Sequence, residues 1–176
     1  MNSVYLGASL DGYIADKNGG LDWLNAVPNP DGDDMGYHAF MDRIDALVMG
    51  RATFETVLGF GGDWPYTKPV YVLSSTRKTV PSELEEKVHL LAGPLPDVLA
   101  KIHANGHTRL YLDGGKTVQG FLRKGLVDEL IITTIPVILG GGVRLFGELP
   151  EPVELELVSS QILLGQIVQR HYRVKR

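Results

Sequence analysis

Ala46-Leu47-Val48-Met49-Gly50-Arg51-Ala52-Thr53-Phe54-Glu55 opens on four apolar residues and turns, at a glycine, into a segment of helical character. A short apolar run that ends on Gly or Ser reads as a strand buried on both faces of a parallel sheet. The same form recurs where Val70-Tyr71-Val72-Leu73 runs into Ser74, and where Arg109-Leu110-Tyr111-Leu112 runs through Asp113 into Gly114. Further β-rich runs lie at 4–9, 88–91 and 129–135.

Helical patterns fill the gaps. Residues 34–44 place Met35, His38, Phe40, Met41 and Ile44 at mixed three- and four-residue spacing. Residues 96–105 carry Val98, Leu99 and Ile102 and stop at Gly106, and 116–124 carry Val118, Phe121 and Leu122 and stop at Gly125. A glycine just past the last apolar turn is an ordinary helix stop. Strand–helix–strand alternation predicts right-handed crossovers and a mainly parallel sheet. The last quarter differs. Residues 153–163 alternate as VELELVSSQIL, and 166–174 follow straight after Leu164-Gly165. Runs that close form a hairpin, so the sheet is expected to end in antiparallel strands. The fold class is α/β with a mixed sheet.

The 176 residues suit one domain spanning 1–176, and 44% apolar with 22% charged residues is ordinary for a globular chain. A net charge of −4 with interspersed signs argues against a nucleic-acid partner or an anionic membrane. The absence of cysteine excludes disulfides, thiolate zinc sites and a cysteine nucleophile, and fits a reducing compartment. The start, MNSVYLGASLDG, has no basic segment followed by an apolar stretch, and no apolar run reaches the ~20 residues that span a bilayer. A cytoplasmic protein is expected. His103 and His107 are four apart, but Asn105-Gly106 ends the helix between them, so no metal site is expected.

In open α/β sheets ligands bind beyond the carboxyl ends of the strands. Three such ends carry suggestive chemistry. Gly50-Arg51-Ala52-Thr53 offers a close backbone turn, a cation, a hydroxyl and the free N–H groups of a helix start, all suited to phosphate; a plain helix cap accounts for Thr53 and Glu55 equally well. Leu73-Ser74-Ser75-Thr76-Arg77 offers hydroxyls and a guanidinium, or a solvated polar turn. Gly114-Gly115-Lys116-Thr117 puts paired glycines before a helix, where backbone approaches pyrophosphate closely. A nucleotide-triphosphatase loop needs a further glycine at position 110, which is Leu, and no G-x-G-x-x-G is present.

The order of these sites resembles the dihydrofolate reductase superfamily, most closely the branch with the reductase domain of riboflavin biosynthesis (the RibD C-terminal domain). The matching stretches are Ala8-Ser9-Leu10-Asp11-Gly12-Tyr13-Ile14-Ala15, Asp22-Trp23-Leu24, Met49-Gly50-Arg51-x-Thr53-Phe54-Glu55, Leu73-Ser74-Ser75-Thr76-Arg77 and Asp113-Gly114-Gly115. They continue through Asp128-Glu129-Leu130 to Pro136-Val137-x-Leu139-Gly140-Gly141-Gly142-x-x-Leu145-Phe146.

The resemblance implies a three-layer sandwich and an NADPH-dependent reductase. It implies that Gly50, Arg51, Thr53, Gly114, Gly115 and Thr117 hold the dinucleotide phosphates, with Ala52 and Lys116 beside them at the cofactor and the Gly114–Gly115 link often cis in such enzymes. Ser75, Thr76 and Arg77 would read the adenosine 2′-phosphate, with Leu73 and Ser74 also at the cofactor, and Ala8 and Ile14 would flank the nicotinamide. Counting back from Gly50 sets Asp34 where folate-reducing members carry a substrate-holding acid, with Asp33 a rival because the loop 28–33 is longer here. Asp34 would be the catalytic residue, its pKa raised by burial, with Trp23, Tyr37 and Phe54 around the substrate. The alternative for both acids is a helix cap. The implied reaction is hydride transfer to a pyrimidine- or pterin-like substrate, resembling that of 5-amino-6-(5-phosphoribosylamino)uracil reductase; a true dihydrofolate reductase and a nucleotide-binding module without turnover are the alternatives. A homodimer through the C-terminal hairpin is expected.

Overall fold

The computed structural model describes residues 1–176. In the first half, β1 (Asn2–Ser9), β2 (Tyr13–Ala15), α1 (Tyr37–Asp42), β3 (Ala46–Gly50), α2 (Arg51–Gly59), β4 (Val70–Leu73) and β5 (Val88–Leu91) follow one another. The second half supplies α3 (Leu95–Ala104), β6 (Leu110–Asp113), α4 (Gly115–Arg123), β7 (Glu129–Ile135), β8 (Val143–Arg144), β9 (Leu155–Leu163) and β10 (Ile167–Val174).

One sheet has the order β5-β4-β3-β6-β1-β7-β10-β9. Strands β5 through β7 in that order all pair in parallel. β10 runs against β7 and β9 against β10, so the sheet ends in the expected antiparallel hairpin. The short ribbon of β2 with β8, too brief to leave a periodic signal, forms a second sheet.

β3 shows why the fold is layered. Ala46 and Val48 join the cluster formed with α3 and α4, while Leu47 and Met49 join the one formed with α1 and α2. Alternate side chains of a strand point to opposite faces, so both faces of this strand are buried. Helices on either side make the three-layer sandwich. Burying each large apolar side chain contributes ~1.5–3 kcal/mol.

The helix expected over 34–44 forms only at Tyr37–Asp42. Met35 (φ 57°) and Gly36 (φ 88°) sit in the left-handed region, which no α-helix can include. Every peptide bond is trans, the Gly114–Gly115 link included, so the cis expectation is corrected.

At the amino ends of the central strands, buried Glu129 accepts hydrogen bonds from the Ser3 hydroxyl at 2.6 Å and from Arg43 at 2.7 Å, and pairs with His171 Nε2 at 2.8 Å. Burial pushes the carboxyl up, but Ser3, Arg43 and His171 together hold it below its usual range. A lowered carboxyl contributes stability that is present above its unfolded pKa, near 4.5, and is lost as pH falls through the lower folded value. Removing one partner of a fully buried pair costs ~3–5 kcal/mol. Arg43 keeps 35% of its side chain exposed, which lowers that figure. Glu129→Ala is therefore expected to reduce the urea-unfolding free energy at pH 7 by about 2–3 kcal/mol. The gap from wild type should shrink as the pH is taken below 4.5.

Candidate active site

The carboxyl ends of β1, β3, β4 and β6 lie along one edge of the sheet, and the turns that leave them build two adjoining cavities. The larger, about 630 Å³, is a groove walled mainly by glycines and by hydroxyl-bearing or cationic residues. Its walls come from all three turns singled out in the sequence: Gly50 to Thr53, Leu73 to Thr76, and Gly114 to Thr117. Arg51, Lys116 and Thr117 supply charge and hydroxyl to it.

Close approach is possible because side chains are missing where the turns meet. Gly114, at φ 93°, precedes α4, and a Cβ there would collide with the Thr53 hydroxyl of the neighbouring turn. A Cβ on Gly115 would run into the Arg144 carbonyl of β8, and one on Gly50 would stand 3.4 Å from the Thr117 hydroxyl. Helix N-termini of α2 and α4 thus open side by side onto the groove. The free N–H groups and positive dipole ends of two helices favour an anion between them.

The Ser/Thr turn is ordered internally. Ser74 Oγ accepts from the Arg77 N–H at 2.9 Å and the Thr76 N–H at 3.3 Å. The guanidinium over this turn belongs to Arg51, whose Nη1 reaches Thr76 Oγ1 at 3.4 Å while half the side chain stays in solvent. Arg77 lies outside the groove's lining. It donates to the Thr79 carbonyl at 2.9 Å, pairs with Glu55 at 3.2 Å and stacks 5.0 Å over Phe54. Arg51 also approaches Glu55, at 3.9 Å, but it lines the groove and Arg77 does not, so Arg51 is the guanidinium on hand there.

The second cavity, about 280 Å³, shares Ala52, Thr53, Gly114, Gly115 and Val143 with the groove. Its walls are mostly apolar, with Leu6, Leu24, Val57 and Phe60 among them, and Ile14 of β2 closes one side. Its one carboxylate is Asp113, the last residue of β6. Burial raises the Asp113 pKa to about 6, against a smaller opposing effect of the Gly114 N–H. Tyr66 also lines the chamber, and its phenol is pushed up by burial and by the negative charge of Asp113.

The expected substrate residues are placed elsewhere. Asp34 caps α1: its carboxylate accepts from the N–H groups of Gly36 and His38, both at 2.9 Å, and meets His38 Nδ1 at 2.5 Å. These bonds, that from the His38 N–H foremost, lower its pKa to about 2, opposite to the rise expected from burial. Asp33 is exposed and accepts from the Met35 N–H at 2.7 Å. Phe54 is wholly buried against Trp64, and Trp23 packs on Val27, Ile135 and Ile167. Tyr37 stands edge-on to Tyr5 at 5.8 Å, outside the chamber's lining. Ala8 is buried in the core. Asp113, the acid that lines the chamber, was not among the expected site residues. A charged residue closing a four-residue apolar strand at the ligand-binding edge was its signal.

Residues 4–168 match the RibD C-terminal domain family. The uncharacterised protein YwjB of Bacillus subtilis is 34% identical over 171 residues, covering 96% of this chain and 95% of that one. The crystal structure of a candidate riboflavin biosynthesis protein from Shewanella sp. PV-4 superposes at a TM-score of 0.97, with 51% identity and 99% of each chain covered. A dihydrofolate reductase from Enterococcus faecalis complexed with NADP(H) shares the fold at a TM-score of 0.68 and 21% identity, over 100% of this chain and 97% of that one.

Proposed function

The chain belongs to the RibD C-terminal domain family, and we propose that it is an NADPH-dependent reductase that delivers a hydride to a C=N or C=O bond of a pyrimidine- or pterin-like ring. The observation that carries this reading is the junction of a groove lined by helix N-termini with an apolar chamber holding one acid. The glycine turns would hold the phosphates of a dinucleotide in the groove, since Gly114 and Gly115 leave the room that a side chain would fill. Bound there, the cofactor supplies the hydride.

The chain's own residues do the rest. Arg51, with Ser75 and Thr76, faces the position of an adenosine 2′-phosphate. Leu6, Leu24, Val57 and Phe60 exclude water from the reacting ring. Asp113, held protonated up to about pH 6, donates its proton to the ring nitrogen or oxygen as the adjacent carbon is reduced, and regains one from solvent. Asp34 keeps the role of a cap.

The remaining proposal concerns assembly. β9 is the free edge of the sheet and exposes Leu157 and Ile162 at 56% and 71%. An antiparallel edge can pair with its own copy across a two-fold axis, and covering it hides both the open backbone and these side chains. The cytoplasmic homodimer proposed on this ground should elute in light scattering at twice the 19.3 kDa chain mass. A mass of one chain would remove it.

Two experiments test the reaction. Charge-assisted contacts to a 2′-phosphate contribute roughly 1.5–3 kcal/mol, so NADPH should bind about tenfold or more tighter than NADH in calorimetry, and Arg51→Ala should abolish the preference. Arg77→Ala should leave it intact; a lost preference there with an intact one in Arg51→Ala reverses the assignment. In turnover, a proton-donating carboxyl at about 6 predicts a rate that is flat below pH 6 and falls tenfold per unit above it. Asp113→Asn should lower turnover by roughly 10²-fold and remove that pH dependence, whereas Asp34→Asn should change neither.

A further inference from the structure

Building on the reductase reading, we propose that Asp11 is a positioning residue for the cofactor, a single carboxylate that clasps two distant loops and so sets the wall between groove and chamber. β1 and β7 are parallel neighbours that end together, with Ser9 opposite Ile135, so the chain leaves both at the carboxyl edge of the sheet. The turn after β1 carries Asp11, and the segment after β7 carries Leu139-Gly140-Gly141-Gly142. Asp11 Oδ1 accepts from the Ser9 hydroxyl at 2.6 Å and from the Leu139 N–H at 3.1 Å, while Oδ2 accepts from the Gly140 N–H at 2.8 Å. The Ser9 hydroxyl in turn accepts from the Tyr13 N–H at 2.9 Å. The bonds to Asp11, that from Ser9 foremost, lower its pKa to about 2, so the carboxylate is charged at neutral pH. An ordinary turn aspartate serves its own loop, whereas this one reaches 128 and 129 positions along the chain.

Transmission to the site runs through β8. Three glycines in a row give 140–142 wide conformational freedom, and the clasp fixes where that segment starts. Close packing fixes its end: a Cβ on Gly142 would run into the Ala15 carbonyl of β2. Val143 follows and lines both cavities. The Arg144 carbonyl then abuts Gly115 at the start of α4 and accepts from Gln119 Nε2 of that helix at 3.0 Å. β8 thus stands against the helix start that faces the groove. Released from Asp11, residues 139–142 would let Val143 and Arg144 shift from α4, although Ser9, Asp11, Leu139 and Gly140 line neither cavity. The clasp acts on the cofactor through the wall it holds.

Calorimetric titration of the full chain with NADPH at pH 7 tests this. Asp11→Asn keeps the shape of the side chain but sets an amide donor against the Gly140 N–H. It is expected to weaken NADPH binding about fivefold or more. Glu129→Ala, destabilised at the opposite ends of the same strands, is expected to bind NADPH as the wild type does, which separates positioning from a general loss of stability. Linkage supplies a second measurement that needs no variant. A clasp that favours the cofactor is favoured by it to the same extent. Saturating the wild type with NADPH is therefore expected to slow amide hydrogen exchange at Leu139 and Gly140 about fivefold. Unchanged affinity in Asp11→Asn, equal weakening in Asp11→Asn and Glu129→Ala, or unchanged exchange at both amides each overturns the assignment while leaving the reductase reading in place. Failure of the wild type to bind NADPH removes that reading, and the role of Asp11 with it.

Discussion

The contact between Gly114 and Thr53 is the constraint on which the site depends. Gly114 follows β6 and Thr53 lies in the first turn of α2, far apart in the chain yet brought together because β3 and β6 are neighbours in the sheet. A side chain at position 114 would occupy the place of the Thr53 hydroxyl and drive the turns apart. Its φ of 93° is a second reason for glycine, since L side chains rarely adopt it. With the turns in contact, the starts of α2 and α4 converge on one groove, and the same five residues form the wall between groove and chamber. Separating those turns would dissolve both cavities at once.

That geometry also sets the electrostatics. The groove has helix N-termini, Arg51 and Lys116, so its field favours anions. The chamber lies one residue away, at Asp113, and has the opposite preference. A ligand with a phosphate-rich tail and an uncharged ring can satisfy both only in one orientation. Charge alone thus gives the pair of cavities a direction, with the anion-favouring end at the helix starts and the acid at the other.

Much of this was readable in the amino-acid sequence. Short apolar runs ending in Gly or Ser located β3, β4 and β6, and the turns after them line the groove as their residue types suggested. The hairpin was legible because the β-rich runs 153–163 and 166–174 stand on either side of Leu164-Gly165, too close to do anything but turn back on each other. Other features depended on partners distant in the chain. Arg77 looked like a phosphate reader, but Glu55 and the Phe54 ring, more than twenty positions upstream, hold it. Asp34 sat at the position of a ligand-holding acid, but Met35 and Gly36 take positive φ and turn its carboxylate back onto the helix start. The chamber draws its walls from five separate segments, so no local pattern announces it.

Two acids at opposite ends of the same central strands show how structure and function divide. Glu129 is buried and surrounded by donors from Ser3, Arg43 and His171, and its pKa falls. Asp113 is placed in an apolar chamber with little beyond the Gly114 N–H to offset burial, and its pKa rises to about 6. A buried carboxylate with its partners supplied strengthens the fold, whereas one left short of them weakens it whenever it ionises. Asp113 carries that cost at the carboxyl edge of the sheet, where a carboxyl shifted in this direction marks a candidate functional group.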